Sequence, residues 1–392
     1  MFRNADLRKL FVLLLIAGAS VAWVGDRAAF AVAPDVITSE ADPRRERRPI
    51  DLVICLDTSD SMRGLIDSAR ARLWDVVNSL ARAKPTPRLR VGLLTYGSPS
   101  RSTASAGWIV RQSDLTSDLD SLYARMMGFN TDGGDEFVGW ALHHAVETMN
   151  WSNDPRALKL IFIAGNESAE QASEVFNHRH IASSARARGI TINAIYCGQS
   201  NAGINEHWDQ VAAFGGGNYS AIDMHCGTIQ IEAPQDRLLL ELNMKLNTTY
   251  IPFGAHGEAG RLSQVEQDSN AERLGVASRA SRTEAKAGAL YENAHWDLVD
   301  AARDKKDAVR KVKEAELPAS MRAMSFEERE TYVESQARSR AEVQKQITDL
   351  SAERERFLKG ARANAAAGKT ALDQAMLDSL RTQAEAKGFK FE

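Results

Sequence analysis

The stretch that decides the fold is Leu52-Val53-Ile54-Cys55-Leu56, followed directly by Asp57-Thr58-Ser59-Asp60-Ser61. The first part is an apolar run with the length of a buried strand. The second part places an aspartate and two serines at alternate positions, where the strand ends and a helix begins. Carboxylate and hydroxyl oxygens are hard ligands that suit a divalent cation such as Mg²⁺. The end of such a strand in an open α/β sheet is where ligands usually bind.

Short β-rich runs alternate with amphipathic segments from Ile50 onward. The predicted strands are Asp51–Leu56, Leu89–Tyr96, Leu158–Ala164, Thr191–Cys197 and Asn218–Ile222, with a short edge strand near Trp108–Arg111. The predicted helices are Met62–Arg82, Leu115–Met127, Phe137–Met149, Ala172–Arg188, Asn205–Phe214 and Asp236–Asn247. This alternation predicts an α/β fold with a Rossmann-like, doubly wound, mostly parallel six-stranded sheet. In the order 3-2-1-4-5-6, the switch point lies between the first and fourth strands, which places Asp57 beside the Leu158–Ala164 strand.

The composition changes after Gly254. Residues 251–392 are rich in Ala, Glu, Lys, Arg and Gln and are predicted to be all-helical, divided at Pro318 and Gly360. Val343, Ile347, Leu350 and Phe357 recur at helical spacing between charged residues. This pattern is typical of a helical hairpin or a short coiled coil.

The spacing Asp57-x-Ser59-x-Ser61 resembles the first loop of the metal-ion-dependent adhesion site, and residues 50–250 therefore resemble a von Willebrand factor type A domain. The resemblance implies that Ser59 and Ser61 coordinate a cation directly, while Asp57 acts through water. The ion is Mg²⁺, with Mn²⁺ or Ca²⁺ as alternatives, and its binding can be weak. A plain N-cap role for these residues is the structural alternative.

The other two loops match this family less closely. In the second loop Thr131 precedes the glycines Gly133 and Gly134, and Asp135 stands nearer to the expected ligand position, so both are candidate metal ligands. A Gly-rich turn leading into a helix is the alternative. In the third loop Ala164 occupies the place of the family's aspartate. Asn166 or Glu167 is expected to substitute for it, or else the site is degenerate.

The N-terminal residues 1–33 resemble an export signal. Three basic residues precede an apolar stretch, Leu10–Val24, which is short for a membrane span, and small residues near Ala31 offer cleavage sites. We expect cleavage, with an uncleaved anchor as the alternative, and residues 34–49 as a linker. We therefore expect the protein to be exported and to be periplasmic or associated with the cell envelope. In such an oxidising compartment Cys197 and Cys226 can form a disulfide.

No enzyme class is favoured. Gly133-Gly134-Asp135-Glu136-Phe137 matches the diguanylate cyclase signature, but apolar residues at helical spacing follow it instead of a hairpin strand. A phosphatase of the haloacid dehalogenase type would need a second aspartate two residues after Asp57, as a general acid. Position 59 is a serine, so this proton donor is missing. A net charge of −3 gives no case for nucleic acid.

The resemblance implies a non-enzymatic binding function. A protein partner would offer an acidic side chain to the bound cation, and a membrane would be involved only through an uncleaved N-terminal segment. The alternative is a structural scaffold in an envelope assembly, with a degenerate metal site.

Overall fold

A six-stranded sheet forms the centre of the N-terminal half. The computed structural model describes residues 47–222, 231–305, 307–365 and 372–391. The strands are β1 Pro49–Asp57, β2 Ala83–Lys84, β3 Arg88–Tyr96, β4 Val110–Thr116, β5 Leu158–Gly165, β6 Ile190–Cys197, β7 Gly216–Ile222 and β8 Lys390–Phe391. The sheet order is β4-β3-β1-β5-β6-β7, which is the predicted order. All neighbours are parallel except β3 and β4, which are antiparallel.

Helices cover the sheet and continue beyond it. Those of the described ranges are α1 Arg63–Ala81, α2 Leu119–Met127, α3 Val138–Thr148, α4 His178–Ala187, α5 Ser200–Asn205, α6 Trp208–Gly215, α7 Asp236–Asn247, α8 Gly257–Arg273, α9 Val276–Ala287, α10 Leu298–Asp304, α11 Ala308–Lys311, α12 Ala319–Arg322, α13 Phe326–Ala365 and α14 Leu372–Ala386. The fold class predicted from the sequence is confirmed: a mostly parallel sheet between helices, followed by a helical region.

Strand β1 lies at the centre and is buried along its whole length. Successive side chains of a strand point to opposite faces. Leu52 and Leu56 accordingly join the apolar cluster that includes α1 and α2, whereas Val53 and Cys55 join the cluster that includes α3, α4 and α6. Because both faces are covered, the middle of the strand, Leu52–Leu56, is an uninterrupted apolar run. Cys55 is a buried free thiol.

The edge strand differs from the prediction. It runs over Val110–Thr116, not Trp108–Arg111, and it includes Leu115 and Thr116, which were assigned to a helix. Gly107 and Trp108 both have positive φ and turn the chain just before the strand. An edge strand has one neighbour, so its polar residues remain partly exposed and the apolar signal is weak.

The C-terminal region returns to the sheet. Asp42–Glu392 forms one compact unit. Leu380 of α14 and Phe389 are buried in the same apolar cluster as Leu56, and β8 pairs antiparallel with β2. The side-chain amides of Gln383 and Asn193 exchange two hydrogen bonds, of 3.0 and 2.7 Å. The last helix therefore completes one face of the sheet.

The longest helix, α13, passes through Gly360 without ending there, in contrast to the prediction. A single glycine costs a helix about 1 kcal/mol, which its packed turns tolerate. Ile347 is buried and Phe357 is 41% exposed. Arg340 is also buried, and its guanidinium donates to Asp297 Oδ2 at 2.6 Å. The helix thus packs on other helices of its own chain through apolar and ion-paired positions.

Some predictions fall outside the described residues: the export signal at 1–33, most of the linker at 34–49, and Cys226. Cys197 is buried and is a free thiol among the described residues. Within the same ranges, every helix is either too short or too polar to cross a membrane.

Candidate functional site

The first loop brings two serine hydroxyls together at the end of β1. Asp57 is fully buried, and its Oδ1 accepts a hydrogen bond of 2.7 Å from the backbone N–H of Ser59. Ser59 Oγ lies 3.1 Å from Ser61 Oγ. Ser59 stands at the N-cap position of the short 3₁₀ helix Asp60–Met62, but its side chain forms no capping hydrogen bond, and α1 also begins without one. The hydroxyls are therefore directed toward each other and not toward the helix backbone.

The third loop contributes an amide. Ser61 Oγ donates to Asn166 Oδ1 at 3.3 Å, so Asn166, named above as a possible substitute, does lie at the serine pair. Glu167 is exposed, and its charge is close enough to Asp57 to raise the pKa of that carboxyl. Ala164 pairs with Leu56 in the sheet, and its side chain is buried in the apolar cluster beneath.

Gly165 is the residue of the third loop that lies beside Asp57. A Cβ placed on Gly165 would lie 3.3 Å from Asp57 Cβ and would collide with the hydroxyl of Tyr96. That hydroxyl donates to the carbonyl of Ala164 at 2.9 Å. The space for a side chain at this strand end is thus filled by Tyr96, so position 165 cannot bring a carboxylate to the site.

The second loop brings to Asp57 the residue Glu136, which is not among the candidate ligands named from the sequence. Its side chain is 6% exposed and lies within hydrogen-bonding reach of Asp57 and Ser59. Its backbone N–H donates to Gln171 Oε1 at 3.1 Å, which fixes the loop just before α3. Sequence reasoning chose Asp135, one residue earlier, because the turn alone does not show which acid faces inward.

The two predicted ligands of the second loop lie differently. Asp135 is exposed, and its Oδ2 accepts a hydrogen bond of 3.4 Å from the indole of Trp108. Thr131 is half-buried, and no hydrogen bond of the described residues joins it to Ser59 or Ser61. The structure therefore brings Asp57, Ser59 and Ser61 together and leaves Thr131 and Asp135 at the edge.

Asp132 holds the second loop against its neighbours. Its backbone N–H donates to the carbonyl of Thr58 at 3.1 Å. Its carboxylate accepts from Ser98 Oγ and, at 2.9 Å, from the N–H of Ser100. These hydrogen bonds lower the pKa of Asp132. Asp132 thus joins the second loop to the loop after β1 through its backbone and to the loop after β3 through its carboxylate.

The pair Asp57 and Glu136 is electrostatically unusual. Burial raises the pKa of Asp57, and burial together with the neighbouring Asp57 raises the pKa of Glu136. Asp57 Oδ2 and Glu136 Oε2 are both buried, and neither has a hydrogen-bond donor among the described residues. Two adjacent buried carboxyl groups need either a shared proton or a cation between them.

The available atoms fit a hard cation. Asp57 and Glu136 each carry a buried carboxylate oxygen without a donor, and both carboxyl groups lie near Ser59. The hydroxyl of Ser59 contacts that of Ser61, which in turn donates to the amide oxygen of Asn166. Such oxygen ligands are preferred by Mg²⁺, Mn²⁺ and Ca²⁺. In the described ranges, no three His, Cys, Asp or Glu side chains converge on a point as metal ligands. A cation here would therefore depend on the hydroxyls as much as on Asp57 and Glu136.

Comparison with known proteins identifies the sheet domain. The family model for the von Willebrand factor type A domain matches residues 51–218. No curated protein sequence matches the chain.

Several solved structures are similar over less than half of this chain. Proximal thread matrix protein 1 from the mussel byssus, with a zinc-occupied MIDAS motif, is 14% identical over 46% of this chain, with a TM-score of 0.36; this chain covers 43% of its length. The SpRpn10 VWA domain is 15% identical over 45% of this chain and 90% of its own, with a TM-score of 0.36. The vWF domain of the pili tip protein Mfa5 from Porphyromonas gingivalis has the same identity and coverages, with a TM-score of 0.35.

Proposed function

We propose that this chain, whose residues 51–218 form a von Willebrand factor type A domain, is a non-enzymatic module that binds a protein partner through a divalent cation. Asp57, Ser59 and Ser61 would hold the ion, with Glu136 as the second carboxylate. The single observation that carries the proposal is the pair of buried carboxylate oxygens, Asp57 Oδ2 and Glu136 Oε2, that lack hydrogen-bond donors near the hydroxyl of Ser59.

The chemistry that the ion would supply is the attraction of an anionic ligand. When bound, a divalent cation offers a Lewis-acidic position to an acidic side chain of the partner. Asp57 and Glu136 would supply negative charge at the base of the site, while the serine hydroxyls would add neutral ligands. Thr131 and Asp135 remain candidate ligands on the second loop, and Mg²⁺ is the first candidate ion, with Mn²⁺ or Ca²⁺ as alternatives.

Calorimetric titration of the purified full chain with Mg²⁺, Mn²⁺ and Ca²⁺ tests the metal. We expect a binding heat that Ser59→Ala and Ser61→Ala each weaken by about tenfold or more, as loss of metal-site residues commonly does. Ser183→Ala is the matched control, since Ser183 is exposed on α4 and its hydroxyl only donates to the carbonyl of Arg179. No heat, or a heat that the site variants leave unchanged, would contradict the proposal.

The second candidate function is a scaffold that does not use metal. The observation that favours it is the third loop, where Tyr96 occupies the space in which Gly165 would otherwise carry a side chain. The two functions differ in their response to chelation. Capture of a partner from cell envelopes would be lost in EDTA if the cation completes the interface, and it would be unaffected if the module is a scaffold.

We also propose that the protein is exported from the cytoplasm. The basic and apolar pattern of residues 1–33 supports export, to the periplasm or to the cell envelope. The N-terminal sequence of the protein purified from cells tests this directly. A start near Pro34 would support cleavage, and an intact Met1 in the membrane fraction would support an anchor. A full-length chain in the cytoplasm would contradict export.

A further inference from the structure

Three exposed carboxylates belong to residues next in the chain to those of the candidate metal site. Asp60, Asp135 and Glu167 are each the direct chain neighbour of a residue that contributes a polar atom to the site. A Cβ placed on Gly133 would lie 3.8 Å from Asp60 Oδ2, so the carboxylate of Asp60 faces the second loop. We call Asp60, Asp135 and Glu167 the acidic rim.

The acidic rim is not neutralised by ion pairs in the described ranges. Asp135 accepts from the neutral indole of Trp108, and Glu167 accepts from the neutral amide of Gln171. None of the three rim carboxylates forms a salt bridge with a lysine, arginine or histidine that the structure describes. Their negative charges therefore remain available to act on an approaching molecule.

The formal charges indicate that the site acts on a partner carboxylate differently on contact and at a distance. A divalent cation between ionised Asp57 and Glu136 is formally neutralised by them, so the centre of the site carries no surplus positive charge. The acidic rim then dominates the potential at a distance of several ångströms, where it repels anions. A partner carboxylate gains by coordination only on contact, and before contact it must cross a negative field.

We infer that the partner of this site, if it binds through the cation as proposed above, carries its single carboxylate on a basic segment, with lysine or arginine on either side. Flanking cations would compensate the acidic rim, while the central carboxylate reaches the metal. Complementary charge of this kind raises association rates and excludes competitors with the wrong charge. An acidic stretch would be rejected, although each of its carboxylates could coordinate the ion.

Model peptides test the inference on the full chain in Mg²⁺. The probes are a short, end-blocked peptide with one aspartate flanked by lysines, the same peptide with serines in place of the lysines, and the lysine peptide with asparagine in place of aspartate. We expect the lysine-flanked aspartate peptide to bind about tenfold more tightly than the serine-flanked one at low salt. Added salt should reduce this ratio toward one, because it screens exposed charges.

Variants assign the effect to the acidic rim. Combining Asp60→Asn, Asp135→Asn and Glu167→Gln should remove the preference for flanking lysines. Glu342→Gln is the control, because Glu342 is an exposed acid on α13, a helix that packs on α7, α9 and α10. The control should keep the full preference.

Failure of the inference and failure of the proposed function give different results. Equal, Mg²⁺-dependent binding of the lysine and serine peptides would overturn the inference and leave the proposed function standing. The proposed function would be overturned, and the inference with it, if the lysine-flanked aspartate peptide bound no better than the lysine-flanked asparagine peptide. A lysine preference that survives in the rim variant would also overturn the inference, since the preference would then arise elsewhere.

Discussion

The hydroxyl of Tyr96 occupies the space that a side chain at Gly165 would need, and it donates to the carbonyl of Ala164 at 2.9 Å. Tyr96 comes from β3 and Gly165 from β5, on either side of β1. This packing leaves no room for a side chain at position 165. The buried carboxyl group next to Asp57 comes from the second loop, as Glu136.

A double-mutant cycle should show this steric coupling. Gly165→Ala alone is expected to cost about 1–3 kcal/mol, because the new methyl group collides with the Tyr96 hydroxyl. Tyr96→Phe alone should cost about 1–2 kcal/mol through loss of a buried hydrogen bond. The double variant should lose less than the sum of both, because phenylalanine leaves room for the methyl group. Urea unfolding of the four proteins measures this; simple additivity would contradict the packing.

Glu136 and Asp135 should differ in their effect on metal affinity. Glu136→Gln removes a buried carboxylate beside Asp57 and should weaken Mg²⁺ or Mn²⁺ binding by about tenfold or more. Asp135→Asn removes an exposed carboxylate that contacts Trp108 and should weaken it only a few-fold through screened charge. Calorimetry on both variants gives the comparison. A larger loss with Asp135→Asn would assign the ligand to Asp135 instead.

Stability should fall as pH is lowered through the titration of His178. This residue is fully buried, neither ring nitrogen has a partner among the described residues, and burial lowers its pKa to about 4 from 6.5. Between these values the unfolded chain binds a proton that the folded chain does not. The folded state therefore loses stability as pH falls from about 6.5 toward 4, by up to about 3 kcal/mol.

The comparison of wild type with His178→Gln isolates this contribution. Urea unfolding of both proteins at pH 7 and pH 4.5 gives the pH dependence of each free energy of unfolding. The wild type should lose about 2–3 kcal/mol more than the variant between these values, since the effects of the other groups cancel in the difference. Parallel losses in the two proteins would show that His178 is protonated as readily in the folded chain.

The C-terminal helix should stabilise the sheet domain. Leu380 is fully buried, and Leu380→Ala should cost about 2–5 kcal/mol, while Phe389→Ala should cost about 3–5 kcal/mol. Lys387→Ala is the control; its side chain is exposed, so the change should lie within about 0.5 kcal/mol. Tryptophan fluorescence measured as a function of urea concentration reports the unfolding of each variant. Unchanged unfolding midpoints in the two core variants would show that α14 does not pack on the sheet.

A buried ion-pair network joins the sheet domain to the helical region. Arg282 of α9 donates to Asp120 of α2 at 2.7 Å and to Asp268 at 2.6 Å, and both side chains of the Arg282–Asp120 pair are less than a tenth exposed. Asp120→Asn should cost about 3–5 kcal/mol, because it leaves a buried guanidinium short of its partner. Asp67→Asn, which removes an exposed carboxylate paired with Arg70, should cost less than about 1 kcal/mol. Thermal unfolding distinguishes them, and equal shifts would contradict the burial of the pair.

The sheet was predictable because its signal is local. β1 and β5 are buried on both faces, so each carries an apolar run, Leu52–Leu56 and Leu160–Ala164, and the strand order follows from the alternation with helices. Asp236–Asn247 was predicted with its observed bounds, since apolar residues recur there at helical spacing. β4 was misplaced because an edge strand has few apolar positions.

The site was only partly predictable. Asp57, Ser59 and Ser61 follow a strand directly, so their position was fixed by β1. Glu136 was missed because it is adjacent in the chain to Asp135, and the sequence of the turn does not show which of the two side chains is buried. Only the path of the backbone decides this. The return of α14 was missed for another reason: periodicity predicts a helix but not the surface on which it packs.

The hydrogen bonds between Gln383 and Asn193 span a sequence separation of 190 residues, and that between Arg48 and Lys387 spans 339. Contacts so distant in sequence form late and slowly, because a long loop must close before they contribute. A ribosome would have to synthesise the chain through α14 before this helix can cover the sheet. Chains that have not yet reached α14 would thus expose an apolar face, and their survival would depend on chaperones that protect it until α14 has emerged.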